Sequence, residues 1–223
     1  MLDPRLLQLC DSAFPSGAFS HSFGLETAVV EGRVRDAAAF AAWLDAYLSG
    51  SAATFEARAL VLALRDPEAL LALDAALTAS VFASDVRAAT RRLARATLDA
   101  FRAMELADPG PAAYRAAIEE GRAHGHHALA CALGYRAIAA DERDAACAYL
   151  SSTAAMLAAV AARVVPLGQR DLGRVLWASR PAIETYAARA CAVRTLDDLC
   201  VAAFGCEIDA LRHDRLDARM FAS

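Results

Sequence analysis

Lysine and asparagine are absent from this 223-residue chain, and all 23 basic residues are arginine. Without lysine there is no ammonium for a P-loop, for a Schiff base, or for the ATP contact that kinases use. Any nucleotide chemistry connected with the chain must then sit on another protein. β-Branched residues are scarce, with isoleucine at only four positions, which argues against sheets. The six cysteines, at 10, 131, 147, 191, 200 and 206, form no C-x-x-C pair. Dispersed thiols of this kind are expected to be small buried hydrophobes rather than a disulfide framework. No apolar run approaches the roughly 18 to 20 residues of a membrane span. The longest, Ala154 to Ala162, is stopped by Arg163. The opening MLDPRLL lacks the basic head and apolar core of a signal peptide, so a cytoplasmic protein without membrane contact is expected. A net charge of -4 lacks the basic face that displaces counterions from nucleic acid, so none is expected as a partner.

What is present favours helix. Alanine makes up about a quarter of the chain, and alanine, leucine, arginine and glutamate all favour helix. Asp3-Pro4 and Asp66-Pro67 each read as an N-cap followed by proline at the first helical position. Asp36 opens a helix whose Phe40, Trp43, Leu44, Tyr47 and Leu48 fall on one face. Gly32 and Gly50 stand where helices should end. Further helices are predicted near 53–64, 67–80, 85–106, 112–123, 126–139, 142–163, 169–178, 181–192 and 196–203, with breaks at Asp108 to Pro111 and Pro166 to Gly168. The expectation is an all-α fold, a single compact multi-helix domain over 1–223. Residues 208–223 are dense in charge with sparse apolar anchors. They read as a frayed terminal helix or a tail that orders on a partner.

One segment resists explanation by helix packing, LLQLCDSAFPSGAFSHSFGLE at 6–26. Asp11, Ser12, Phe14, Pro15, Gly17 and Phe19 interrupt the helical pattern, and His21, Gly24 and Glu26 follow. Pro15 fixes a torsion and Gly17 permits a turn, so the segment is a shaped connector. Pro166, Gly168 and Gln169 form a second corner of similar character. Three chemical readings stand beside a plain helix-helix loop. His124, His127 and Cys131 fall at i, i+3 and i+7, one helix face with ligands that suit zinc, nickel or copper. Ser20, His21 and Glu26 could centre a small hydrolase, although no nucleophile elbow is present. A scaffold that grips other proteins needs neither, and no catalytic residue is then assigned.

These segments together resemble the urease accessory protein UreF family. The resemblance runs over nearly the full length, through 6–26, FAAWLDAYL at 40–48, VPLGQRD at 165–171, and Asp209, His213, Arg219, Phe221 and Ser223. The chain departs from the family pattern at Ala94, in the HGHH segment, at Arg170 and Leu172, and at Asp214. The resemblance implies an all-helical, dimeric, non-catalytic protein. It would bridge a UreG-like GTPase and a UreD/UreH-like scaffold while nickel is delivered to apo-urease. No permanently bound cofactor is implied, with nickel in transit and GTP on the partner. It also implies that the tail, including Arg219 and Phe221, docks the UreD-like partner, and that the early motif and the Gln169 corner support the fold and the partner surfaces.

Overall fold

Aspartates set the first turns of this fold. The computed structural model describes residues 3–106 and 108–223; Met1 and Leu2, the first two residues of the opening MLDPRLL, and Ala107 lie outside. Asp3 accepts the Arg5 amide at 2.8 Å and opens α1 (Pro4–Cys10). Asp36 accepts the Ala39 amide at 2.8 Å and opens α3 (Ala37–Tyr47), which follows the short α2 (Leu25–Val30). Asp66 caps a single 3₁₀ turn, Pro67–Ala69, that leads into α5 (Leu70–Ser80). Asp108 and Asp141 cap α7 (Pro109–Glu119) and α9 (Glu142–Val164) in the same way. Each carboxylate satisfies an amide that the helix cannot. Between these lie α4 (Ala57–Arg65), α6 (Ser84–Ala103) and α8 (His127–Ala137), and α10 (Gln169–Ala190) and α11 (Phe204–Arg212) complete the chain. No strand occurs among the described residues, and the fold is all-α.

The core sits where α4, α8, α9 and α10 meet. α9 packs on α10 and α4, while α8 packs on α4 and α6. α9 is long and apolar enough to cross a membrane by length and composition, which the sequence reading did not anticipate, yet most of it is buried in this core. Alanine carries the packing. Ala57, Ala59, Ala130, Ala145, Ala146 and Ala161 are fully enclosed, so helix axes approach closely and larger residues such as Leu60, Leu133 and Leu157 fill the remaining volume. At one crossing even alanine is too large. A Cβ on Gly134 of α8 would lie 2.2 Å from a ring carbon of Phe101 on α6.

Four helix expectations need correction. Gly50 ends nothing: α3 runs into a π-helical segment, Leu48–Glu56, and on into α4. Pro181 does not divide its region, since α10 continues through it. Residues 196–203 form one 3₁₀ turn, Leu196–Asp198, and then an extended connector. The tail holds a true helix, α11, and a 3₁₀ turn, His213–Arg215. The cysteines also differ from expectation. All six are free, but only Cys131 and Cys206 are buried, and Cys200 is exposed.

Filling the Gly134 crossing should be unfavourable, because an added methyl group would meet the buried Phe101 ring. Gly134→Ala is expected to lower unfolding free energy by about 1–3 kcal/mol, read from urea denaturation followed by circular dichroism.

Candidate functional site

The early motif begins as a sequence of local turns. Asp11 accepts the Ala13 amide at 2.7 Å and, through its carbonyl, the Phe14 amide at 3.0 Å. Gly17 has a φ of 74°, and the Ser20 hydroxyl donates back to its carbonyl. Phe14 packs on Phe101, with ring centroids 5.7 Å apart. Asp11, Ser12 and Pro15 remain exposed, while Phe14 and Phe19 are half-buried. From His21 onward the chain turns inward, and every residue to Ala28 is buried. Phe23 and Gly24 take left-handed conformations in succession, with φ of 51° and 92°. A phenylalanine in that region is strained. Its ring is held between His21 and Tyr47, with centroids 6.1 Å from each.

This buried turn receives the C-terminal arm. The Ser22 amide donates to the Ser223 carbonyl at 2.6 Å, and the Ala222 amide to the Ser20 carbonyl at 2.9 Å. The Ser22 hydroxyl donates to the same Ser223 carbonyl, and His21 Nδ1 lies 3.0 Å from the Ser223 hydroxyl. Glu26, at the first turn of α2, accepts the amides of Met220 at 2.6 Å and Phe221 at 3.2 Å. Its Oε2 also faces His213 Nε2 at 2.9 Å. The other His213 nitrogen lies 3.3 Å from Asp85 at the start of α6, and Asp85 pairs with Arg219 at 3.2 Å. One turn earlier, the buried Asp209 takes both arms of the Arg33 guanidinium and the Trp43 indole N–H, the last at 3.3 Å. These hydrogen bonds drive the Arg33 pKa upward. Gly24 faces this helix so closely that a Cβ would lie 2.8 Å from the Ala210 amide nitrogen.

The tail is therefore folded onto its own chain. Asp209, His213 and Phe221 are buried, and the Arg163 guanidinium lies 5.8 Å from the Phe221 ring centroid. Phe221, expected as an exposed anchor for a partner, is instead an internal fastening. Of the tail residues singled out in sequence, Arg219 and Asp214 keep exposed side chains, and Ser223 is buried with the others. The Pro166–Gln169 corner joins α9 to α10, where the Gly168 carbonyl accepts the Asp171 and Leu172 amides. Pro166, Gly168 and Gln169 are exposed. The nearest link from that corner to the early motif is Arg163, which donates to the Phe19 carbonyl at 3.0 Å.

Neither alternative chemistry is assembled. The hydrolase reading fails because the Ser20 hydroxyl, His21 and Glu26 each face a different partner. The metal reading fails because α8 begins at His127, leaving His124 on a loop outside the helix. His124 Nε2 donates to the Arg87 carbonyl at 2.9 Å, while His127 Nε2 lies 3.4 Å from Cys131 Sγ. No group of three or more metal-ligating side chains occurs among the described residues. The loop is instead built around Asp74, which accepts the Tyr114 hydroxyl at 2.6 Å and the amides of His124 at 2.7 Å and Gly125 at 2.9 Å. Sequence reading passed over Asp74, although a lone acid on the buried face of LLALDAALTAS was a signal. It also passed over Arg33 and Asp85, and placed Trp43 only on an apolar helix face and Ser22 only within the early motif, because no local pattern connects any of them to the tail.

A partly open pocket of about 40 Å³ lies beneath the early motif, lined in part by Glu56, His127, Cys131, Tyr135 and Tyr149. That volume suits roughly two or three waters. Burial pushes the Glu56 carboxyl up to about 7 against a donated Tyr149 hydroxyl at 2.8 Å. Burial also holds His21, His126 and His127 at about 4 and drives the Cys131 thiol upward.

Two measurements follow from these groups. Glu26→Ala strands the buried Phe221 amide and His213 and frees the Met220 amide, and is expected to remove about 3 kcal/mol of stability in urea. The pH profile has a fixed sign. A histidine at about 4 when folded and 6.5 when unfolded contributes fully above pH 6.5, and that stability is lost as pH falls toward 4. Glu56 acts oppositely, contributing below pH 4.5 and losing that stability as pH rises through 7. Three histidines outweigh one glutamate, so the thermal midpoint should fall between pH 6.5 and 4.5. Glu56→Gln should raise the midpoint at pH 8 and leave it near the parent's at pH 4.5.

The sequence agrees with a known set of proteins. A sequence profile of the UreF family matches residues 34–180. A protein of Arthrobacter sp. (strain FB24), named urease accessory protein UreF, is 36% identical over 224 residues, covering 98% of this chain and 96% of the relative. The protein of that name from Paenarthrobacter aurescens (strain TC1) is 37% identical with the same coverage. That of Bacillus sp. (strain TB-90) is 34% identical over 232 residues, covering 98% and 97%. The profile match leaves out the early motif and the arm, but the full-length relatives span both. With two thirds of the chain inside the profile and end-to-end similarity beyond 30%, the protein belongs to the UreF family of urease accessory proteins.

Proposed function

We propose that this protein acts in the cytoplasm as a non-catalytic adaptor in urease maturation. In this reading it joins a UreD/UreH-like scaffold to a UreG-like GTPase, as a homodimer, so that nickel reaches apo-urease. Nickel is cargo, and GTP stays on the partner, consistent with the absence of lysine.

The observation that carries this reading is the outer face of α11. Phe204, Ile208 and Leu211 stand at i, i+4 and i+7, one stripe, and are 73%, 47% and 46% exposed. Single exposed apolar residues are ordinary, but a stripe of three on one helix marks a binding surface. The inner side of the same arm is tied down through Asp209, His213 and Phe221. The stripe is thus presented on a fixed support, which limits the entropy lost on binding. We assign it to the UreD-like scaffold, in place of the buried Phe221.

A second surface lies on α10 beyond the Gln169 corner. Trp177 is 67% exposed, and the Arg180 guanidinium sits 3.4 Å from its ring centroid. Exposed tryptophan with arginine is a common binding anchor. This face is assigned to the GTPase.

Co-expression with the UreD-like and UreG-like proteins, followed by size-exclusion chromatography, tests the assignment. Phe204→Ala and Leu211→Ala are each expected to weaken scaffold binding by about 1–3 kcal/mol, with the monomer fold unchanged by circular dichroism. Co-elution of the double variant at the parent's level would overturn the α11 surface. Substrate turnover by the isolated chain would overturn the adaptor reading itself.

A further inference from the structure

The stripe on α11 begins one residue after the connector that leads to it, so whatever seats the connector aims the stripe. The seat is the π-helical segment Leu48–Glu56. Two of its carbonyls accept from the connector. The Ala202 amide donates to Gly50 O at 2.7 Å, and the Cys200 amide to Thr54 O at 3.2 Å. The Thr54 hydroxyl lies 2.7 Å from Cys200 O and 2.7 Å from Gly50 O, within reach of both. Arg58, one turn on, donates to the Asp198 carbonyl. A π segment of this length is rare, and such turns mark sites where a helix does something besides pack.

Gly50 explains the fit. Its φ is not in the left-handed region, so its backbone does not require glycine. A glycine inside a helix is unfavourable by roughly 1 kcal/mol relative to alanine. What it permits is approach. A Cβ there would stand 2.7 Å from the Ala203 nitrogen and 2.9 Å from both the Ala202 carbonyl carbon and Ala203 Cα. All three are backbone atoms, which cannot swing aside.

Building on the docking surface assigned to α11, we propose that Gly50 and Thr54 are positioning residues for it. The π segment is a socket for the connector Leu199–Ala203, and the arm from Leu199 to Ser223 seats or lifts with that contact. Neither residue touches the partner. They act through Ala202 and Ala203 on Phe204, the first residue of the stripe. Trp43 reports on the seated state, because its indole N–H donates to Asp209 on α11.

Hydrogen-deuterium exchange on the full chain tests the socket without any partner. In Gly50→Ala and in Thr54→Val, amides of 199–212 should exchange about tenfold faster or more, while those of α4, α8 and α9 stay at parent rates. Thr54→Ser keeps the hydroxyl and should match the parent. In a Trp177→Phe background, Trp43 emission should shift to the red in the first two variants only. Capture of the UreD-like scaffold should weaken about tenfold in the same two variants and recover in Thr54→Ser. Unchanged arm exchange in Gly50→Ala, or a uniform acceleration across the core, would overturn the socket. If Phe204→Ala abolishes capture while Gly50→Ala does not alter arm exchange, the socket fails and the docking surface stands. If arm exchange accelerates but capture of the scaffold is unchanged, the positioning role fails, and the α11 surface stands or falls on Phe204→Ala and Leu211→Ala alone.

Discussion

The carboxylate of Glu26 is the point at which the two ends of this chain become one structure. A buried carboxylate must be paired, and nothing within α2 pairs it. Its partners come from the other terminus: the amides of Met220 and Phe221, and the His213 ring. Those groups would themselves be orphaned without it. Each side meets a requirement that the other creates, and the contact closes a loop of almost the whole chain. Ser22 with Ser223, and Arg33 with Asp209, extend the same junction to either side. The strained Phe23 backbone persists because these contacts over-determine it.

Alanine makes the rest of the architecture possible by letting helices approach until main chains nearly touch. At three places among the described residues a neighbouring main chain or ring comes closer than alanine allows, and glycine stands there. Gly134 admits the Phe101 ring, Gly24 admits α11, and Gly50 admits the connector. Two of those three hold the C-terminal arm. The closest backbone packing outside the α6–α8 crossing is thus concentrated where the arm meets the body, and not in the bundle core.

How much of this could be read from residues alone depended on range. The aspartate caps at 3, 36 and 66 were legible because the signal and its effect lie within three residues. The all-α class was legible from the shortage of β-branched residues. Gly50 was misread as a stop because glycine ends helices far more often than it thins one for a neighbour, and that neighbour is some 150 positions away in sequence. Pro181 was misread because the packing of α10 on α9 outweighs one missing hydrogen bond. The HGHH segment looked like a ligand cluster because helical spacing was assumed through it. Asp74 instead takes the amides of His124 and Gly125 and holds the segment as a loop until His127. Of the arm, the important residues were visible but not their direction. Phe221 and Asp209 have the same composition whether they face a partner or their own chain.

Direction is what gives the arm its meaning. In an ordinary terminal helix the apolar face is spent on the body and the charged face meets water. α11 reverses much of this. Its attachment to the body is largely polar, through Asp209 to Arg33 and Trp43, with small residues Cys206 and Ala210 at the close approach to Gly24. The large apolar residues Phe204, Ile208 and Leu211 are left outside. Polar contacts with fixed geometry locate a helix more sharply than an apolar face that can slide. Apolar residues left free supply most of the energy of association. An arm fastened by hydrogen bonds and facing outward with phenylalanine, isoleucine and leucine is the arrangement on which the proposed docking surface rests.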